Sequence, residues 1–224
     1  MNSNMKKITT VIFDLDGTLL NTLTDITNSV NHALQQSNFP IHTEDEVKTY
    51  VGNGAKLLIK RAMPENHTEE QFNTVFAEYM EYYILHSNDN TKPYDGVLQT
   101  LKALKLAGIK TAILSNKPDE QTKPLANVVF EGTIDFARGQ VVGIPEKPAP
   151  DGVYSVLETL NSLPEETIFV GDSDVDILTG KNANLYSVGV SWGFRPTEVL
   201  LKNGADTIIN HMSELLDIVE KTNS

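Results

Sequence analysis

The sequence predicts an α/β fold, a Rossmann-like parallel sheet core interrupted by an inserted all-helical cap domain. Short, β-rich apolar runs that do not alternate recur along the chain, as strands covered on both faces require. Helical patterns separate most of them, which is the arithmetic of βαβ units. The first two runs stand much further apart than one crossover helix requires, so a further unit is inserted between them.

Taken in order, residues 8–13 form the first strand and run into Asp14-Leu15-Asp16-Gly17-Thr18. Leu23, Ile26, Val30 and Leu34 then recur at helical steps, and Phe72, Val75, Phe76, Tyr79, Met80 and Tyr83 do likewise. These patterns set the cap at residues 21–91 and the core at 1–20 and 92–224. Pro93-Tyr94-Asp95-Gly96 reads as a turn into a core helix over 97–107, which Gly108 is placed to end. Strands follow at 109–114, 167–170, 187–190 and, more weakly, 207–209. Pro124 inside the helical pattern 119–129 implies a kink or a late helix start. No internal repeat and no low-complexity tract interrupts this order.

Composition narrows the chemistry. Among 224 residues there is no cysteine, which excludes thiolate catalysis and cysteine metal ligands and ties nothing to an oxidising compartment. Eighteen Lys+Arg stand against thirty Asp+Glu, a net charge of −12, and no basic patch is segregated to meet a nucleic-acid backbone. Lys6 and Lys7 precede an apolar run as in a secretory signal, but Asp14 and Asp16 interrupt it. No apolar stretch reaches the roughly 18–20 residues that span a bilayer. The expectation is a cytoplasmic protein without nucleic-acid or membrane partners.

Ligands of an open α/β sheet bind beyond the carboxyl ends of its strands, so the polar residues after each run are the candidates. After the first run, Asp14 and Asp16 point to one side while strand geometry persists. Carboxylates that close stay ionised together only beside a cation. Gly17 permits a tight turn, and Thr18 offers a hydroxyl and an amide to an anion. After the second run comes Ser115-Asn116-Lys117, where Ser115 and the neighbouring amides suit phosphate oxygens. After the third, Gly171-Asp172-Ser173-Asp174-Val175-Asp176 sets Asp172 and Asp176 one turn apart if a helix begins there. Hard oxygen ligands without His or Cys nearby favour Mg2+ over zinc. Lys147, in the stiff loop Glu146-Lys147-Pro148-Ala149-Pro150, is placed to neutralise phosphate charge. Asp174 reads as exposed, the five histidines as surface or packing residues, and Trp192 and Phe194 as core.

Read together and in this order, the four pieces resemble the motifs of the haloacid dehalogenase superfamily of phosphotransferases over essentially the whole chain. Asp14-Leu15-Asp16-Gly17-Thr18 is similar to its first motif, Ser115 to its second, Lys147 to its third, and the run from Gly171 to Asp176 to its fourth. Ser115-Asn116-Lys117-Pro118, Lys147-Pro148-Ala149-Pro150 and Gly189-Val190-Ser191-Trp192-Gly193 resemble phosphoglycolate phosphatases, in which a loop similar to Val51-Gly52-Asn53-Gly54 faces the substrate.

The resemblance implies a hydrolase in which Asp14 attacks phosphorus to give an aspartyl-phosphate, while Asp16 protonates the leaving alcohol and then activates water. It implies Mg2+ held by Asp14, the backbone carbonyl of Asp16 and Asp172, with Asp176 as a further or more distant carboxylate. Thr18, Ser115, Asn116 and Lys147 would hold the transferring group. The implied partner is a small phosphorylated metabolite such as phosphoglycolate, selected by cap residues such as Asn53, Lys56 or Arg61, and the chain would be a monomer or homodimer. A phosphomutase of the β-phosphoglucomutase type is the alternative among enzymes, distinguished by a sugar, not water, accepting the phosphoryl group. A phosphoaspartate signalling switch is the alternative outside enzymes. A receiver-like switch needs only about 120 residues and no helical lid, whereas a lid suits exclusion of water.

Overall fold

The run Thr-Val-Ile-Phe of β1 (Thr10–Phe13) is buried at every position, which only a strand with neighbours on both edges and cover on both faces achieves. The computed structural model describes residues 6–224, so residues 1–5 of the expected first core segment lie outside it. After β1 come β2 (Leu20–Asn21), four helices, α1 (Leu23–Gln36), α2 (Glu44–Tyr50), α3 (Gly54–Ala62) and α4 (Glu69–His86), and β3 (Lys92–Pro93). Then follow α5 (Val97–Leu106), β4 (Lys110–Pro118), α6 (Asp119–Val129), β5 (Phe136–Gln140) and α7 (Asp151–Leu160). The chain continues through β6 (Thr167–Gly171), α8 (Asp174–Asn182), β7 (Tyr186–Val190), α9 (Thr197–Lys202), β8 (Thr207–Ile209) and α10 (Glu214–Asn223).

Six of the strands make one parallel sheet in the order β5-β4-β1-β6-β7-β8. β1 lies between β4 and β6, with Phe13 level with Ile113 on one side and Val170 on the other. The chain builds outward from β1 in one direction and then returns to build in the other, so the switch point lies at the carboxyl end of β1. The ends of β1, β4 and β6 therefore meet, and with them the segments that begin at Asp14, Ser115 and Asp172. Aliphatic and aromatic side chains on both faces close the sheet into two clusters, one around Val11, Phe13 and Leu101, the other around Ile12, Val153 and Phe169.

Most strands lie within a residue or two of their expected positions. β4 runs on through polar Ser115, Asn116 and Lys117 to Pro118, past the expected end at residue 114, and all three polar side chains are buried. β5 is a strand that hydropathy does not mark. Phe-Ala-Arg-Gly-Gln has no apolar run because it is a half-buried edge strand. α6 starts at Asp119 and runs through Pro124, so of the two expected effects of that proline the late helix start does not occur. Gly108 does end α5: it takes φ +73°, and the amides of Gly108 and Ile109 donate to Lys105 and Leu104.

The four inserted helices leave and return through the antiparallel ribbon β2–β3, in which Leu20 pairs with Pro93 and Asn21 with Lys92. They have their own apolar cluster, built on Ile26, Val30, Leu34, Val47, Ile59, Val75, Tyr79 and Tyr83. Phe194, from the segment after β7, belongs to this cluster, so it is core to the insert and not to the sheet. Capping boxes at Thr43 with Glu46 and at Thr68 with Gln71 start α2 and α4. No helix among the described residues is long and apolar enough to cross a membrane.

Asp25, only 2% exposed on the first turn of α1, joins the two ends of the insert. Its carboxylate accepts hydrogen bonds of 2.8–3.0 Å from the amide and side chain of Asn90 and from the amide and hydroxyl of Thr91. Removing it strands several donors at once. Asp25→Ala is expected to lower stability by about 2–4 kcal/mol, read as a lower urea midpoint at unchanged denaturant slope. A midpoint shift below about 0.5 kcal/mol, the ordinary surface range, would show that the two ends are held by other contacts.

Candidate active site

Three aspartates converge where β1, β6 and the start of α8 meet. Carboxylate oxygens of Asp14, Asp172 and Asp176 lie within 4.8 Å of one another, and all three residues are buried. Each is held by a different device. Asp14 ends β1, and its amide donates to the Val170 carbonyl at 2.9 Å. Asp172 accepts from the Thr18 hydroxyl at 2.9 Å and from the Phe194 amide at 2.7 Å. Asp176 is the third residue of the capping box that begins α8, so its Oδ2 accepts from both the amide and the hydroxyl of Ser173.

The turns around this cluster admit no side chain. Gly17 takes φ +87°, and a Cβ there would overlap the Asp172 carboxylate, as would one at Gly193. Glycine is required by conformation at the first and by close approach at both.

Lys147 lies among the acids. Its Nζ is 2.8 Å from Asp14 Oδ1 and 2.6 Å from Asp176 Oδ1. Burial opposes its charge, but Asp14 and Asp176 outweigh burial and hold the ammonium above its usual range. One ammonium does not balance three carboxylates. Burial, then repulsion from Asp176, pushes Asp14 well above the ordinary carboxylate range and Asp172 up to about 7. A buried all-oxygen donor set with surplus negative charge fits a divalent cation, and no histidine joins the cluster among the described residues.

A cavity of about 60 Å3 opens beside this cluster, between the strand ends and the inserted helices. Asp14, Asp16, Ser115, Asn116 and Lys147 reach it, as the sequence leads one to expect. Thr18 does not line it. Its hydroxyl donates to Asp172 and supports that carboxylate. Asn116 is engaged in a similar way: its carbonyl oxygen accepts from the Lys147 amide at 2.9 Å and its amide donates to the Lys147 carbonyl at 3.1 Å. Asp176 joins the acidic cluster directly, whereas the Asp16 side chain lies outside it and faces the cavity. Neither Asn53, Lys56 nor Arg61 lines the cavity, and Arg61 donates to the Tyr50 carbonyl.

Two residues not singled out from the sequence do line it, Lys117 and Tyr83. The Lys117 Nζ donates to the Tyr83 hydroxyl and stands 3.7 Å from Asp16 Oδ1, a buried oxygen with no hydrogen-bond partner. Burial, then the Asp16 charge, holds the Tyr83 phenol well above its usual range, so it keeps its proton. The signal for Lys117 appears only once β4 is seen to continue, since it then follows Ser115 at the strand period of two and points to the same side.

Sheet, switch point and buried acids define an α/β enzyme with its chemistry at the carboxyl ends of the strands. The chain belongs to the haloacid dehalogenase-like hydrolase family, whose model matches residues 11–190. It is 34% identical to the phosphoglycolate phosphatase of Vibrio vulnificus, over 96% of this chain and 97% of that protein. It is 32% identical to that of Aquifex aeolicus, over 82% of this chain and 85% of the other. A crystal structure from Lactobacillus delbrueckii subsp. bulgaricus, assigned as a phosphoglycolate phosphatase, matches with TM-score 0.90 and 31% identity. That match covers 95% of this chain and 98% of the other.

The charge imbalance predicts that a divalent cation stabilises the fold through Asp172. At a cation concentration about 100 times Kd the gain is about 2.7 kcal/mol, visible as a rise in Tm. Asp172→Asn is expected to abolish that rise, and an equal rise in the variant would place the cation elsewhere.

Proposed function

We propose that this phosphoric monoester hydrolase releases inorganic phosphate from a small anionic monoester, 2-phosphoglycolate, through an aspartyl-phosphate on Asp14 and with Mg2+ as cofactor. The observation that carries the reading is the placement of Asp14 and Asp16 on one cavity, the first against Lys147 and the acidic cluster, the second facing the cavity outside it.

The division of labour follows from that placement. An Asp14 oxygen attacks phosphorus, the bond to the ester oxygen breaks, and Asp16 in its acid form gives the departing oxygen a proton. Asp16, now a carboxylate, takes a proton from water as that water attacks the acyl phosphate. Phosphate leaves, and both aspartates return to their starting states. Lys147 and Ser115 face the transferring phosphoryl group, and Asn116 fixes Lys147 through its main chain. Asp14, Asp172 and Asp176 would hold Mg2+, which when bound neutralises charge on the phosphoryl oxygens.

The size of the cavity supports a small leaving group. About 60 Å3 is far below the ~300–1,000 Å3 of drug-sized pockets. The phosphoglycolate phosphatases named above support the choice of ester. In this reading residues 21–91 are a cap domain over a core of 1–20 and 92–224, and the cysteine-free, acidic sequence supports a cytoplasmic setting.

The test is phosphate release from a panel of monoesters with Mg2+. Wild type should turn over 2-phosphoglycolate and stop on adding EDTA. Asp14→Asn should fall to background, and Asp16→Asn by about 10²–10⁴-fold. Well-folded wild type that releases phosphate from no ester would sink the reading.

A further inference from the structure

The cavity holds two buried lysines, and they are not equivalent. Lys147 is clasped by Asp14 and Asp176 on the side of the phosphoryl group. The ammonium of Lys117, a residue 6% exposed, makes one hydrogen bond, to Tyr83, and lies 4.3 Å over the centroid of that ring. Its nearest carboxylate oxygen, on Asp16, is 3.7 Å away, too far for a hydrogen bond. An ammonium has three donors, so the buried Lys117 keeps donors unspent where it lines the cavity. The Tyr83 oxygen accepts from Lys117, which leaves its own phenol proton to donate. A buried cation held this loosely is costly unless an anion completes it.

The direction of this unspent charge is informative. Asp16 serves the departing oxygen, so Lys117 beside it lies on the leaving-group side of the cavity. The inserted helices offer no competing cation there. Their lining side chains are Ile26, Ala55, Leu58 and Met80, with Tyr79 and Tyr83 as the polar exceptions. An anionic group one or two bonds beyond the ester oxygen has Lys117 as its partner.

We propose that Lys117, oriented by Tyr83, determines specificity by binding a carboxylate on the leaving group, which selects phosphate monoesters of short hydroxy acids over uncharged alkyl phosphates. This rests on the phosphatase reading above and assigns the part of that site that recognises the alcohol. The discrimination is large because an ester without the carboxylate leaves donors of a buried ammonium unspent, with only the Asp16 carboxylate 3.7 Å away beside it.

The experiment compares 2-phosphoglycolate with ethyl phosphate, which has the same skeleton without the carboxylate. Wild type should prefer the first. Lys117→Met should reduce the ratio of the two kcat/KM values by ~10–100-fold, the equivalent of one charge-assisted hydrogen bond, chiefly through KM for 2-phosphoglycolate. Lys117→Arg should retain part of the preference. Glycolate should inhibit wild type competitively and lose potency against Lys117→Met. Tyr83→Phe should lower the ratio by a smaller factor, and serves if Lys117→Met does not fold. An unchanged ratio, with both substrates slowed alike, would overturn the proposal and leave the phosphatase reading standing, as would wild type that hydrolyses both esters equally. Release of phosphate from neither ester would overturn both.

Discussion

The ion pair of Lys147 with Asp14 and Asp176 is the constraint on which the rest of the site depends. Buried charges are tolerated only when paired and hydrogen-bonded, and removing one member of a buried pair costs more than the pair contributes. Here one ammonium stands among three buried carboxylates. Water relieves little of the imbalance at Asp172 and Asp176, which are 1% and 0% exposed, and of the three only Asp14 borders the cavity. Some of the charge is absorbed by hydrogen bonds from Thr18, Ser173 and Phe194. The remainder fits a divalent cation, whose charge beside Asp14 would oppose that of a phosphoryl group.

The fold delivers these groups through backbone geometry more than through side-chain reach. Parallel pairing sets Phe13 beside Ile113 and Val170, so the residues that follow begin from adjacent points. Glycines at 17 and 193 let two loops approach Asp172 where any Cβ would collide. Asp176 is positioned by its duty in a helix cap, which leaves Oδ1 for Lys147. Each catalytic candidate is thus fixed by an element whose stability does not depend on the chemistry.

Much of this could be read from the sequence because it lies in local signals. Apolar runs followed at once by Asp, Ser or Gly-Asp mark strand ends whatever the tertiary context, and the gap between the first two runs announces an insert. What stayed hidden depends on non-local contacts. β5 lacks an apolar run because an edge strand is only half covered. The continuation of β4 through Ser115, Asn116 and Lys117 is invisible to hydropathy because buried polar residues read as a loop. The supporting tasks of Thr18 and Asn116 require knowledge of which partners arrive from residues far along the chain, Asp172 and Lys147. Lys117 acquires meaning only from Tyr83, which α4 brings to it.

The inserted helices and the acidic centre share one short segment. The Phe194 amide donates to Asp172 while its ring packs among the apolar residues of the insert. The next residue, Arg195, donates to the carbonyls of Lys48, Thr49 and Val51 at the end of α2, where a helix dipole favours a cation, and stands 3.7 Å from Asp174. From the neighbouring strand end, Asn116 donates to the Gly52 carbonyl at 3.3 Å. The 51–54 loop is therefore gripped by Asn116, which also holds Lys147, and by Arg195, whose neighbour Phe194 holds Asp172. Placement of the helices over the cavity and placement of the charged groups beneath it are not independent, since a displacement of that loop pulls on the Asn116 side chain directly and on Phe194 through its neighbour Arg195. Two adjacent residues, Phe194 and Arg195, thus tie the carboxylates to the insert above them, one through Asp172 and the other through Val51.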